Sequence, residues 1–291
     1  MTRWLTIALA WLFALVPVGA LLADPHQTFS SRTVGVRVDV LVTNGRMPVG
    51  GLTPADFELR DNGVLQSIEA IDASGPINVV LALDVSASTE GKRQADLRRA
   101  SEALMAGLVP GDRAAVTTFS HAVSARTALT EDFAAVRASL SRIRPSGETA
   151  VMDGIFVALM TTQAQPGRSL LVVCTDGYDT ASWLTSAEVL EAAKRSNAVI
   201  YAVTAAEGGA QSDLKELTDA TGGQTMKVAS SAELTDTFRR VLTDFRSRYV
   251  LTFTPRDVDP GGMHRLDVRV QRPNLTVKAR PGYVGLSAST R

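Results

Sequence analysis

Four largely apolar runs, Ile77 to Leu83, Ala114 to Phe119, Ser169 to Cys174 and Val199 to Val203, limit what this chain can fold into more than any other feature. A strand with one wet face alternates apolar and polar residues, whereas runs apolar at consecutive positions suit strands covered on both faces. The segments between them carry helical spacing. Leu97, Ala100, Leu104 and Leu108 share one face, Phe133, Val136, Leu140 and Ile143 another, and Leu234, Phe238, Val241 and Phe245 a third. Thr185 with Glu188, and Ser230 with Glu233, have the spacing of capping boxes and mark helix starts, while Gly222-Gly223 marks a helix stop.

Strand alternating with helix predicts an α/β domain over residues 76–246, doubly wound and Rossmann-like, its mostly parallel sheet clad by helices on both sides. One pair departs from this. Ala114 to Phe119 is followed so closely by Ala122 to Leu129 that only an antiparallel neighbour is within reach, which predicts one antiparallel edge strand. On either side of the domain the pattern turns all-β. Valine at every second position from Val34 to Val42, then the turn dipeptides Asn44-Gly45 and Asn62-Gly63, the second suited to a type I′ hairpin, place an N-terminal β segment at 28–73. Tyr249 to Phe253, then Leu266, Val268 and Val270, then Leu275 to Ala279 place a C-terminal β segment at 247–285, with 286–291 a frayed tail. The flanks of a doubly wound domain meet at the edge opposite its strand ends, so these two are expected to form one small β-sandwich.

The N-terminal stretch is of another kind. Arg3 precedes an apolar run from Trp4 to Leu15, followed by Pro17 and small residues through Ala20 and Ala23, the pattern of a signal peptide over 1–23. Cleavage predicts an exported protein, periplasmic or secreted; a retained segment would instead be an N-terminal anchor, the one membrane contact expected. The 30 basic and 30 acidic side chains leave no net charge, which argues against a phosphate-tracking nucleic-acid binder. The single cysteine, Cys174, rules out an intramolecular disulfide and a cysteine-cluster zinc site, and its place inside an apolar run predicts an inert buried thiol. His26, His121 and His264 fall in separate elements and point to neither a histidine metal site nor a general base.

Ligand sites in open α/β sheets lie at the carboxyl ends of the strands, so the residues just past each run carry the chemistry. The first run ends in Asp84-Val85-Ser86-Ala87-Ser88 and the third in Thr175-Asp176-Gly177. Two aspartates and two hydroxyls are thereby brought to one sheet edge, an oxygen-only donor set that suits a hard cation such as Mg2+ rather than zinc or copper. Gly147-Glu148-Thr149, ahead of a helix starting near Val151, offers a further hydroxyl to close the site.

These residues resemble the von Willebrand factor type A domain and its metal-ion-dependent adhesion site. Asp84, Ser86 and Ser88 match its Asp-x-Ser-x-Ser, Thr149 its threonine loop with Asp153 in the following helix, and Asp176 its strand-end aspartate. The flanking segments Gly51-Leu52-Thr53-Pro54-Ala55-Asp56-Phe57 and Arg280-Pro281-Gly282-Tyr283 are similar to those bracketing the domain in exported bacterial von Willebrand factor A-related proteins of the acidobacterial type. The resemblance implies that Ser86 and Ser88 bind Mg2+ directly, with Mn2+ or Ca2+ as substitutes, and that Asp84 and Asp176 act mainly through bound waters. It implies too that Thr149 exchanges direct for water-mediated contact, and that an exposed Asp or Glu of an unidentified partner protein completes the shell. The candidate metal ligands are therefore Asp84, Ser86, Ser88, Thr149 and Asp176. Glu148, Asp153 and Asp179 are candidate ligand-contact or outer-shell residues, although the place of Asp179 favours capping a loop.

The function so implied is an exported, Mg2+-dependent protein-binding module without catalytic residues. Two other classes compete with it: an envelope scaffold that ignores metal and binds through its β segments, and a metal-dependent hydrolase or phosphotransferase with an aspartate nucleophile. The haloacid-dehalogenase pattern wants an aspartate where Ser86 stands, and no lysine lies in the site loops to neutralise a transferred phosphate.

Overall fold

The computed structural model describes residues 35–72, 75–176, 178–205 and 211–285. The signal-peptide reading, the start of the valine alternation, Gly177 and the 286–291 tail lie outside them. The chain opens with β1 (Val36–Asn44), β2 (Met47–Pro48), β3 (Phe57–Asp61), β4 (Val64–Gln66) and β5 (Ile68–Asp72). It continues through β6 (Ile77–Asp84), α1 (Lys92–Met105), β7 (Arg113–Phe119), β8 (Val123–Ala125), α2 (Phe133–Leu140), α3 (Val151–Thr162) and β9 (Arg168–Thr175). Next come α4 (Ser186–Arg195), β10 (Ala198–Ala205), α5 (Gln211–Ala220), β11 (Gln224–Val228) and α6 (Leu234–Arg246). The last strands are β12 (Tyr249–Phe253), β13 (Gly262–Val270), β14 (Thr276–Lys278) and β15 (Gly282–Gly285).

A six-stranded sheet runs in the order β11-β10-β9-β6-β7-β8. Its pairings are parallel except that of β8 with β7. All eight residues of β6 are buried, and the strand's period of two sorts them between two cores. Ile77, Val79, Leu81 and Leu83 pack with Leu97 and Leu104 of α1, Val136 of α2 and Phe238 of α6. Val80 and Ala82 pack with Ile155 and Leu159 of α3, Val189 of α4 and Leu214 of α5. The edge strand is shorter than the expected Ala122 to Leu129. Arg126 and Thr127 both donate to the Val116 carbonyl, which ends the ladder at Ala125, and pairing resumes only where Thr130 meets Ala114.

The capping box at Thr185 and Glu188 is formed and starts α4, whereas the one expected at Ser230 and Glu233 is not. Glu233 reaches the Ala229 N–H at 3.3 Å, Ser231 donates its hydroxyl to Asp96 of α1, and a short 3-10 turn precedes α6. The stop after α5 has a steric cause: Gly222 takes φ +73°, and a Cβ on Gly223 would lie 1.7 Å from the Ile200 carbonyl oxygen.

Both flanks are antiparallel sheets. One runs β14-β1-β12-β5 with β2 beside β1, the other β15-β13-β3-β4. Asn62 and Gly63 both take positive φ in the β3–β4 hairpin, as a type I′ turn requires. Val38, Val40, Phe57 and Leu59 share one apolar cluster with Tyr249, Leu251, Phe253 and Leu266, so residues from before and after the α/β domain fill a single core. Three arginines tie these sheets to the amino ends of the parallel strands. Arg168, first in β9, pairs with Asp39 at 2.7 Å. Arg248 donates to the Tyr201 hydroxyl and the Gly222 carbonyl, and Arg280 to the carbonyls of Ser196 and Lys194.

At Gly154 helix α3 lies so close to β7 that a Cβ would sit 2.5 Å from two ring atoms of Phe119. Overpacking of this kind costs about 1–3 kcal/mol, and contacts this short belong at the upper end, which outweighs the roughly 1 kcal/mol that alanine gains over glycine in a helix. Gly154→Ala is therefore expected to lower the thermal unfolding midpoint; an unchanged or higher midpoint would contradict the packing described.

Candidate metal site

Asp84 closes β6 with 1% of its surface exposed, and each of its oxygens is held. Oδ1 accepts from the Ser86 hydroxyl at 2.6 Å and the Ser86 N–H at 2.9 Å, and Oδ2 accepts from the Thr175 hydroxyl at 2.6 Å. Burial pushes the Asp84 carboxyl above the ordinary range, while the hydrogen bonds from Ser86 and Thr175 pull it down. The Ser86 and Ser88 hydroxyl oxygens stand 3.1 Å apart, and Ser88 donates to Asp176 Oδ1 at 3.1 Å. Asp84, Ser86, Ser88 and Asp176 thus form one continuous cluster across the ends of β6 and β9.

The threonine loop is laced to the same edge. Ala87 N–H donates to the Gly147 carbonyl at 3.0 Å and Ser146 N–H to the Val85 carbonyl at 2.9 Å. Gly147 takes φ +74°, a backbone conformation that favours glycine, and a Cβ there would meet the His121 ring at 2.0 Å. Thr149 itself is buried; its N–H donates to the Thr180 hydroxyl, and its carbonyl accepts from Thr180 and Ala181. Glu148 beside it is exposed.

Asp153 and Asp179 are engaged elsewhere. Asp179 accepts from Met152 N–H at the start of α3 and from Ser182 N–H, which is the capping role its position suits. Asp153 accepts from the N–H groups of Trp183 and Leu184. Together they shape a loop over 178–184 that turns Tyr178 and Trp183 outward, the tryptophan 94% exposed.

One residue of the cluster has no place in the sequence motif. Arg93, in the first turn of α1, pairs with Asp176 and reaches the Ser88 carbonyl at 3.4 Å. The available signal is local: α1 begins with Lys92 and Arg93 and has no acid in its first turn, against the sign that the helix dipole favours. Cys174, one residue before the Thr175-Asp176 pair, is buried, and burial pushes its thiol well above the usual range.

The donor set suits a small hard cation. Oxygens adjacent in an octahedron with bonds of about 2.1 Å lie roughly 3.0 Å apart, close to the separation of the two serine hydroxyls. Among the described residues no group of three His, Cys, Asp or Glu could hold a metal, so an ion here would need hydroxyls or water beside the two carboxylates.

The sequence profile of the von Willebrand factor type A domain matches residues 78–240, more than half of the chain, and the protein belongs to that family. No curated protein matches it. Solved structures with the same fold include a von Willebrand factor type A protein from Catenulispora acidiphila, at TM-score 0.55 and 13% identity over 88% of this chain and 75% of that one. Proximal thread matrix protein 1 from the mussel byssus, with a zinc-occupied MIDAS motif, gives TM-score 0.54 and 16% identity over 62% of this chain and 48% of that one. A mutant of the PilB minor pilin from Streptococcus sanguinis gives TM-score 0.51 and 15% identity over 60% and 62%. At these identities the likeness is one of fold.

Because Cys174 is buried and its thiolate disfavoured, the native protein is expected to resist an aromatic disulfide reagent and to release one equivalent of chromophore only on unfolding. Rapid labelling of the native state would contradict this burial.

Proposed function

We propose that this protein is an exported, non-enzymatic interaction module that recognises an acidic side chain of a partner protein through a divalent cation, with Mg2+ the best fit. The observation that carries the reading is the unbroken Asp84–Ser86–Ser88–Asp176 hydrogen-bond cluster at the carboxyl edge of the sheet. Ser86, Ser88 and Thr149 would contribute neutral hydroxyl ligands, and Asp84 and Asp176 would order the waters around them. A bound Mg2+ supplies an electrophilic position for an oxygen of the partner's carboxylate. Asp84, fixed by three hydrogen bonds, holds the Ser86 hydroxyl in place; the exposed Tyr178 and Trp183 give a partner apolar area beside the site.

Von Willebrand factor type A domains are generally adhesion or interaction modules, which supports the non-enzymatic reading. Serine at position 86 weighs against an aspartyl-phosphate enzyme. Export rests on the signal-peptide pattern of residues 1–23; among the described residues no helix is long and apolar enough to cross a membrane. The shared core of the two flanking sheets supports a β-sandwich that carries the α/β domain as an insertion between its strands.

Thermal unfolding in chelator and in millimolar Mg2+ tests the site. At about 100 times its dissociation constant, a ligand of the folded state alone adds about 2.7 kcal/mol, or roughly 5–11 °C in midpoint for a chain of this size. The wild type is expected to show such a rise and Ser88→Ala, altered at an exposed position, to lose most of it. Equal midpoints with and without Mg2+ in the wild type would move the reading to a metal-independent scaffold.

A further inference from the structure

We propose that Arg93 is an internal counter-ion of the metal site, weakening the site's hold on Mg2+ while reserving a positive charge for the partner's carboxylate; this rests on the metal reading above. The guanidinium pairs with Asp176 and reaches the Ser88 carbonyl, so it contacts two of the residues assigned to the ion. Its place is costly by local rules, because two cations open α1 with no carboxylate in that turn. Lys92 is compensated within its own helix by Asp96 at 2.6 Å. Among the described residues Arg93 has its ion pair across the site, with Asp176, 83 residues along the chain. A residue that breaks a local rule and, among the described residues, finds its charge partner in the candidate site has its reason there.

Charge gives the consequence. Asp84 and Asp176 bring two negative charges to the cluster and Arg93 one positive charge, so a divalent cation leaves the loaded cluster with one net positive charge. A partner carboxylate then closes it at neutrality. Without Arg93, the cluster would be neutral once the ion is bound and would offer a carboxylate less attraction. Arg93, Asp84, Thr175 and Asp176 themselves line a cavity of about 80 Å³ that runs back to Leu97 and Leu234, so the guanidinium stands at the same opening as the two carboxylates.

Calorimetric titration of Mg2+ alone into the chelator-treated full chain tests this with wild type, Arg93→Gln and Arg93→Lys. The side chain of Arg93 is 44% exposed, so both variants are expected to fold, and a cooperative thermal transition in chelator checks it. Removing the charge is expected to tighten Mg2+ binding roughly three- to tenfold, and lysine to keep the affinity near that of the wild type. Wild-type binding with Arg93→Gln equal or weaker, or with Arg93→Lys as tight as Arg93→Gln, would overturn the counter-ion role alone. Absence of binding in all three would overturn the metal reading and the inference with it; binding by Arg93→Gln alone would support both.

Discussion

A carboxylate buried at the end of a strand that is itself buried along its whole length is the constraint on which the rest of this structure turns. β6 lies between two neighbours and under helices on both faces, so Asp84 cannot swing out to water. Its charge has to be met by fixed donors. Those donors are the Ser86 N–H and hydroxyl and the Thr175 hydroxyl. Meeting that need folds the Asp84-to-Ser88 loop back on the strand and couples it to β9. The geometry that could hold a cation is therefore a by-product of satisfying a buried acid, and the two roles cannot be separated by choosing another residue at position 84.

Much of this was legible because it is local. Runs apolar at consecutive positions require cover on both faces, and their ends define one edge, so the convergence of Asp84 and Asp176 follows from the alternation of strand and helix. Turn chemistry at Asn62-Gly63 is likewise contained in two residues. What was not legible differs in kind. Glu233 turns to the Ala229 N–H, four residues before it, and the expected capping box with Ser230 does not form. Arg93 enters the cluster through a contact across 83 residues. Capping was open to Asp179 from its place in a turn, and it accepts from the Met152 and Ser182 N–H groups; Asp153 reaches the Trp183 N–H, 30 residues along the chain, a contact no local pattern reveals.

The α/β domain is polar in a functional sense. At the amino ends of its strands, Arg168, Arg248 and Arg280 join the flanking sheets through buried or half-buried hydrogen bonds. Arg248 is wholly buried and lies near the Tyr201 ring, 5.5 Å from its centroid. Removing one partner from such a junction strands a desolvated charge, which is why junctions of this kind resist rearrangement. At the carboxyl ends the contacts are of another type: short loops, exposed aromatic side chains and a guanidinium with access to water. The five parallel strands β6, β7, β9, β10 and β11 keep these two ends apart by construction, since each starts at one and finishes at the other. The rigid junction can therefore be anchored to the flanking sheets without restricting the loops, and a charge such as Arg93 can be exchanged at the open end without disturbing the buried arginines on which the fold depends.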